Sequence, residues 1–243
     1  MASSQTMKID MHVHTMEGSP DAKLPAREHV RLYRQAGFGA IVITEHVWEN
    51  YPDLPMPQRV EQWTAGYREA KAEGDAAGLK VFLGAEVRLC RCGGADCLVY
   101  GLELTDVAWL LGTLDTAQSY AELSQAVREK GFFFAQAHPF RVGYQPLDPA
   151  ILDGAEAYNG KPRGNENNNE LAFAFAAENR LVMISGSDAH QAIDVAHGGL
   201  QIPGEIETSA QLCAWLKAGS LRERENFLCS VVRLPEEKKE ENQ

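Results

Sequence analysis

No stretch of this sequence approaches the roughly 18–20 consecutive apolar residues of a membrane-spanning helix, so no membrane role is expected. The opening Met1-Ala2-Ser3-Ser4-Gln5-Thr6 lacks the apolar centre of a secretory signal and reads as a disordered leader over residues 1–6. Cysteine is scarce and odd in number, five in 243 residues, in a chain too large to need covalent staples. A disulfide framework is therefore excluded, and a reducing, cytoplasmic setting is expected. Positive charge is in deficit: 23 Lys and Arg stand against 34 Asp and Glu, a net charge of −11. Such a chain repels phosphate backbones at long range, which argues against an extended nucleic-acid partner. Bound divalent cations would offset part of that charge. A G-x-S-x-G nucleophile elbow is also missing, since Gly186-Ser187-Asp188 does not supply one, and this disfavours a serine-hydrolase triad.

What is present is an alternation of β-rich apolar runs with helical patterns. This predicts β/α units around a mostly parallel sheet, as one domain over residues 7–234 followed by a polar tail, 235–243. Strands are expected at Met7–Val13, Ala40–Thr44, Lys80–Val87, Cys97–Leu102, Phe132–Ala137, Ala155–Tyr158, Leu181–Ser185 and Phe227–Leu234. Helices are expected at Pro25–Ala36, Val60–Ala77, Ser119–Lys130, Asn165–Glu178 and Ser209–Ala218. Gly93-Gly94 marks a hairpin turn.

Side chains that bind metals fall at the carboxyl ends of these strands. His12 and His14 close the first, Glu45 and His46 follow the second, and Glu86 ends the third. His138 follows Phe132–Ala137, and Asp188 with His190 follow Leu181–Ser185. In a parallel α/β barrel those ends share one face, where active sites form. His12 and His14 are spaced to project from one side of an extended strand, and so are Asp188 and His190. Imidazole suits zinc, iron and manganese, and carboxylates bridge pairs of ions. His29, inside a helix, is expected to be exposed, and His197 is read as a loop residue.

The segments Asp10-Met11-His12-Val13-His14-Thr15, Thr44-Glu45-His46, Gly84-Ala85-Glu86, Ala137-His138-Pro139, Tyr158-Asn159-Gly160 and Gly186-Ser187-Asp188-Ala189-His190 resemble, in order, the motifs of the PHP (polymerase and histidinol phosphatase) family. The resemblance implies a distorted (β/α)7-type barrel that hydrolyses phosphoesters with two or three divalent metals (zinc, manganese or iron). It implies a first metal at His12, His14, Glu86 and Asp188. Glu86 would bridge to a second metal also held by His138, and His46 and His190 would serve a third. Where the family often has a histidine at the second metal, this chain has Cys97, either a softer ligand or an inert buried thiol. Asp21 is the candidate for the third site's further ligand. Asp10, Glu45 and Asn159 are expected behind the ligands.

On this reading Asp188 orients or deprotonates the attacking water, and His190 or His46 protonates the leaving oxygen. Arg141, Arg163 and Lys161 follow site motifs and are the candidates for gripping phosphate. The expected substrate is a small phosphomonoester, of the histidinol-phosphate or nucleotide kind. Three alternatives stay open. One is an exonuclease on short oligonucleotides, with Tyr144, Phe140 or Tyr158 as stacking platforms. The second is a non-catalytic metal-binding module. The third is a C–N-cleaving amidohydrolase, disfavoured because no lysine ends a predicted strand. A zinc knuckle at Cys90, Cys92, Cys97 and Asp96 is a further, weaker reading.

Overall fold

The computed structural model describes residues 6–50, 52–161 and 164–219, without the side chains of residues 164 and 165. The strand expected over 227–234, the tail, Arg163 and residues 1–5 of the leader lie outside the described residues. The strands are β1 (Thr6–Val13), β2 (Ala40–Ile43), β3 (His46–Trp48), β4 (Lys80–Arg88), β5 (Asp96–Leu102), β6 (Phe133–Gln136), β7 (Gly154–Asn159), β8 (Val182–Gly186) and β9 (Leu200–Pro203). The helices are α1 (Ala26–Gln35), α2 (Met56–Ala77), α3 (Val107–Thr116), α4 (Tyr120–Glu129), α5 (Asn169–Glu178) and α6 (Ser209–Lys217).

Local chemistry sets several of these boundaries. α2 begins four residues before the expected Val60, because Pro55 and Pro57 hold the backbone at a helix-starting φ. It ends at Gly78, whose φ of 72° is the left-handed conformation that terminates helices. α4 is capped as expected, the Glu122 amide donating to Ser119 Oγ at 3.2 Å. α3 was not anticipated: VAWLLGTLDT is apolar on most sides and lacks the one-sided period that marks an amphipathic helix. α5 starts at Asn169, four residues late, since Gly164–Asn167 forms a 3₁₀ turn instead.

The sheet runs β8-β7-β6-β5-β4-β2-β1-β9, with β3 also paired to β4. Most neighbours are parallel, as expected, but β5 is antiparallel to both β4 and β6, and β9 is antiparallel to β1. Beyond β8 the chain returns to β1, His14 N–H donating to Ala189 C=O at 3.0 Å, so the sheet nearly closes into a barrel. Two apolar layers hold it. One packs strand residues such as Ile41, Leu83, Val87 and Val99 against helix residues such as Tyr33, Trp63, Leu114 and Leu123. The other fills the barrel with Ile9, Met11, Phe82, Tyr100, Phe133 and Ile184, plugged by Leu212 and Leu216 of α6. Gly186 allows the closure, because a Cβ there would lie 2.3 Å from the His12 Cβ.

Candidate metal centre

A bulge in β1 aims the first two ligands. Between Asp10 and Val13 the strand advances three residues while β2 advances only two, Ile41 to Ile43. Before the bulge, Asp10 faces α1 and accepts from Tyr33 Oη at 2.8 Å. After it, His12 and His14 point toward Glu86, and Val13 joins the helix-facing layer. His46 stands directly beside Glu86 across the β3–β4 pairing.

Glu86 is the centre of the cluster. Its Oε1 lies 3.3 Å from His12 Nε2 and 3.1 Å from His138 Nε2. Its Oε2 lies 3.4 Å from His14 Nε2 and 2.7 Å from His46 Nδ1. Asp188 Oδ1 is 3.6 Å from His14 Nε2, and His190 Nε2 is 3.4 Å from His46 Nε2. Asp21, exposed, bridges that last pair at 3.4 and 3.3 Å. Three overlapping groups can each hold a cation: His12, His14 and Glu86; His14, His46 and His190; and Glu86, Asp96 and His138. The donor chemistry fits metals. His12 Nε2 and His14 Nε2 are buried and make no hydrogen bond among the described residues. A buried imidazole nitrogen facing a carboxylate and left without a proton partner is what a cation would satisfy. His138 and Asp188 also sit at left-handed φ values of 26° and 50°, a cost that the fold sustains at this cluster.

A second layer aims the rings. His12 Nδ1 lies 2.9 Å from Glu156 Oε1, which fixes its proton there and leaves Nε2 for the centre. Glu156 Oε2 also accepts from the His138 amide and from Asn159 Nδ2, both at 2.9 Å. His14 Nδ1 donates to Ser19 Oγ at 3.1 Å, and Ser19 donates onward to Glu45 Oε2 at 2.5 Å. Glu45 also accepts from Thr15 N–H and Oγ1. Burial pushes the Glu45 carboxyl up to about 7 against these hydrogen bonds. Asp10 accepts from the amides of His12 and Ser187 at 3.0 and 2.9 Å, tying β1 to the loop after β8. Asp10, Glu45 and Asn159 thus contact the backbone and side chains around the cluster and not its central carboxylate Glu86.

Cations line the other wall. Arg141 Nη2 donates to Asp188 Oδ2 at 2.5 Å, and Lys161 Nζ to Asp188 Oδ1 at 3.3 Å. Burial opposes ionisation of Asp188, but His12, Arg141 and Lys161 outweigh it and hold the carboxyl well below the usual range. Lys161 lies two residues beyond β7, so a lysine does reach the cluster although none ends a strand. A cavity of about 220 Å³ opens over these groups, bordered also by Trp48, Arg88, Tyr144 and Val142.

Some expectations fail. Cys97 does not reach the centre: it is buried in the layer between sheet and helices, and burial, with Asp96 and Glu86 nearby, pushes its thiol up. Of its two readings, the inert buried thiol is the one the geometry supports. Because side chains alternate along a strand, Asp96 faces the cluster instead, its Oδ2 lying 3.8 Å from His138 Nε2. The zinc knuckle fails for the same reason, Cys90 and Cys92 occupying a 3₁₀ turn after β4. His29 is fully buried rather than exposed. His197 lies in a loop, as expected. Sequence reasoning missed Glu156, Ser19 and Arg88, and gave Asp96 the wrong role. For Glu156 a signal existed, a lone carboxylate inside Gly154-Ala155-Glu156-Ala157, a strand too apolar to leave it without partners.

Comparison with known proteins bears on the fold and the family. No curated protein sequence matches the chain. Among solved structures it is similar to a two-domain protein from Bacteroides vulgatus ATCC 8482 containing a predicted PHP-like metal-dependent phosphoesterase (18% identity, TM-score 0.65). The match covers 88% of this chain and 63% of that one, so this chain spans less than two thirds of that relative's length. It is similar to PsfC from Pseudomonas syringae PB-5123 (20% identity, TM-score 0.62, 93% of each chain). It is also similar to the lesion-specific endonuclease PfuEndoQ from Pyrococcus furiosus (13% identity, TM-score 0.60, 88% of this chain and 56% of that one). At these identities the likeness shows the fold. The model of the PHP-associated region matches residues 166–221, and the PHP domain model matches residues 10–179, more than half of the sequence, so the chain belongs to the PHP domain family.

Proposed function

We propose that this protein hydrolyses the phosphomonoester of a small molecule with a metal-activated water. The observation that carries the reading is the meeting of two walls at Asp188: imidazoles and Glu86 on one side, Arg141 and Lys161 on the other. Two or three divalent cations (zinc, manganese or iron) held by His12, His14, His46, Glu86, His138, Asp188 and His190, with Asp21, would supply Lewis acidity and an acidified water. Asp188, kept ionised by its neighbours, accepts a hydrogen bond from the attacking water and orients it. Arg141 and Lys161 bind the phosphoryl oxygens and compensate charge gathering there. With only two cations bound, at the groups around His12 and His138, His46 or His190 on the cavity wall stays free of metal and gives a proton to the leaving oxygen. The cavity of about 220 Å³ suits a small substrate, and the acidic chain disfavours an extended nucleic acid. The reducing, cytoplasmic setting belongs to the same proposal. No helix of the described residues is long and apolar enough to cross a membrane.

A phosphodiesterase on short oligonucleotides is the second reading, supported by Trp48 and Tyr144 at the cavity wall as stacking surfaces. Phe140 packs against Phe175 and does not add to it.

The test is hydrolysis of an aryl phosphomonoester and an aryl phosphodiester with Mn²⁺, Zn²⁺ or Fe²⁺ added, beside metal content. The expected result is monoester turnover that Asp188→Ala reduces by about 10³-fold or more with the fold intact. Preference for the diester would select the second reading. Near-normal turnover in Asp188→Ala would remove the role given to that residue.

A further inference from the structure

Arg88 and Asp96 face each other across the β4–β5 hairpin. Arg88 Nε and Nη2 grip the two Asp96 oxygens at 2.5 and 2.6 Å, and Nη2 also donates to Tyr144 Oη at 2.7 Å. Tyr144 in turn meets the His138 ring edge-on at 5.2 Å. The same Asp96 carboxylate belongs to the group it forms with Glu86 and His138 that can hold a cation. A fork gripping both oxygens uses two of the carboxylate's lone-pair positions and places a fixed positive charge beside them. A divalent cation arriving there meets that charge and a carboxylate already shared.

We propose that Arg88 sets the affinity of the Glu86–Asp96–His138 position by competing with the incoming cation for the Asp96 carboxylate, making it the weakest and last of the metal positions to fill. The position then responds to cation concentration while the groups centred on His12 and His14 stay loaded. Arg88 acts through Asp96 and is a positioning residue. The inference rests on the metal reading of the centre above.

The test is stepwise titration of the metal-free full chain with Mn²⁺, following free Mn²⁺ by electron paramagnetic resonance, in wild type, Arg88→Met, Arg88→Gln and Asp96→Asn. The expected result is that Arg88→Met tightens the weakest step by about tenfold or more and leaves the tighter steps within twofold. Asp96→Asn should weaken that same step by a similar factor. Arg88→Gln, which keeps a hydrogen-bonding side chain without the charge, should tighten that step as Arg88→Met does. It decides the matter if Arg88→Met does not fold. A weakest step unchanged or weakened in the Arg88 variants overturns the inference while the metal reading stands. A wild type that binds no Mn²⁺ overturns both.

Discussion

An imidazole is best poised to hold a cation with one nitrogen when something fixes the proton on the other. Glu156 does this for His12 at 2.9 Å, and the Ser19–Glu45 pair does it for His14. Glu156→Gln keeps the shape and removes the charge. It should lower Mn²⁺ affinity by about 10–100-fold, measured by titration, with little change in the melting temperature of the metal-free chain. His29 behaves differently. Its ring is buried with neither nitrogen within hydrogen-bond reach of a partner among the described residues, and burial, partly opposed by the nearby His14 backbone, lowers its pKa to about 3. Its folded value therefore lies below the unfolded one of about 6.5. Below that unfolded value the unfolded chain takes up a proton that the folded chain refuses, so stability falls as pH drops from 6.5 toward 3 and is flat above it. From pH 7.5 to 5.5 this one group should cost about 1.4 kcal/mol. Urea unfolding of the metal-free chain at the two pH values, compared with His29→Leu, reads it directly.

At the scale of elements, the strand ends were legible because each site histidine and carboxylate closes a run of apolar residues, a pattern that composition alone rarely produces. What the pattern could not carry was direction. β5 runs against its neighbours, so it offers its first residue to the centre, and the alternation along it makes that residue Asp96 rather than Cys97. The β1 bulge was invisible for a related reason: it depends on register with β2, a partner far along the sequence. β3 and β9, three and four residues long, owe their form to the strands beside them more than to their own composition. Gly186 is the element-level test. A Cβ would meet His12 Cβ at 2.3 Å and the His12 amide nitrogen at 2.7 Å, so Gly186→Ala should force β8 from β1. The expected loss is about 2–4 kcal/mol in urea unfolding, with Mn²⁺ affinity falling alongside. An unchanged midpoint would mean that the barrel seam gives way freely.

For the whole molecule, the −11 formal charge is partly concentrated around the centre, where Glu86, Asp96, Asp188, Glu156 and Glu45 are all buried. Cations should therefore stabilise the fold as well as serve chemistry. With Mn²⁺ at about a hundred times its dissociation constant the gain is about 2.7 kcal/mol per independent site. A chelator should lower the melting temperature by several degrees, and the loss should reverse on adding Mn²⁺ back. Equal melting curves with and without chelator would contradict a centre of this kind.

The tie between Asp10 and the Ser187 amide spans 177 positions in sequence, and the whole centre straddles that span. The β4–β5 hairpin can form early from near neighbours, but bringing β1 against the residues after β8 carries the loop-closure entropy of almost the entire described chain. Completion of the position that uses His190, and of the wall at Asp188, is thus among the last events of folding. During synthesis the groups of His12, His14 and Glu86 and of Glu86, Asp96 and His138 emerge well before the position that needs His190, so the centre is assembled in stages, with its Asp188 and His190 side supplied last.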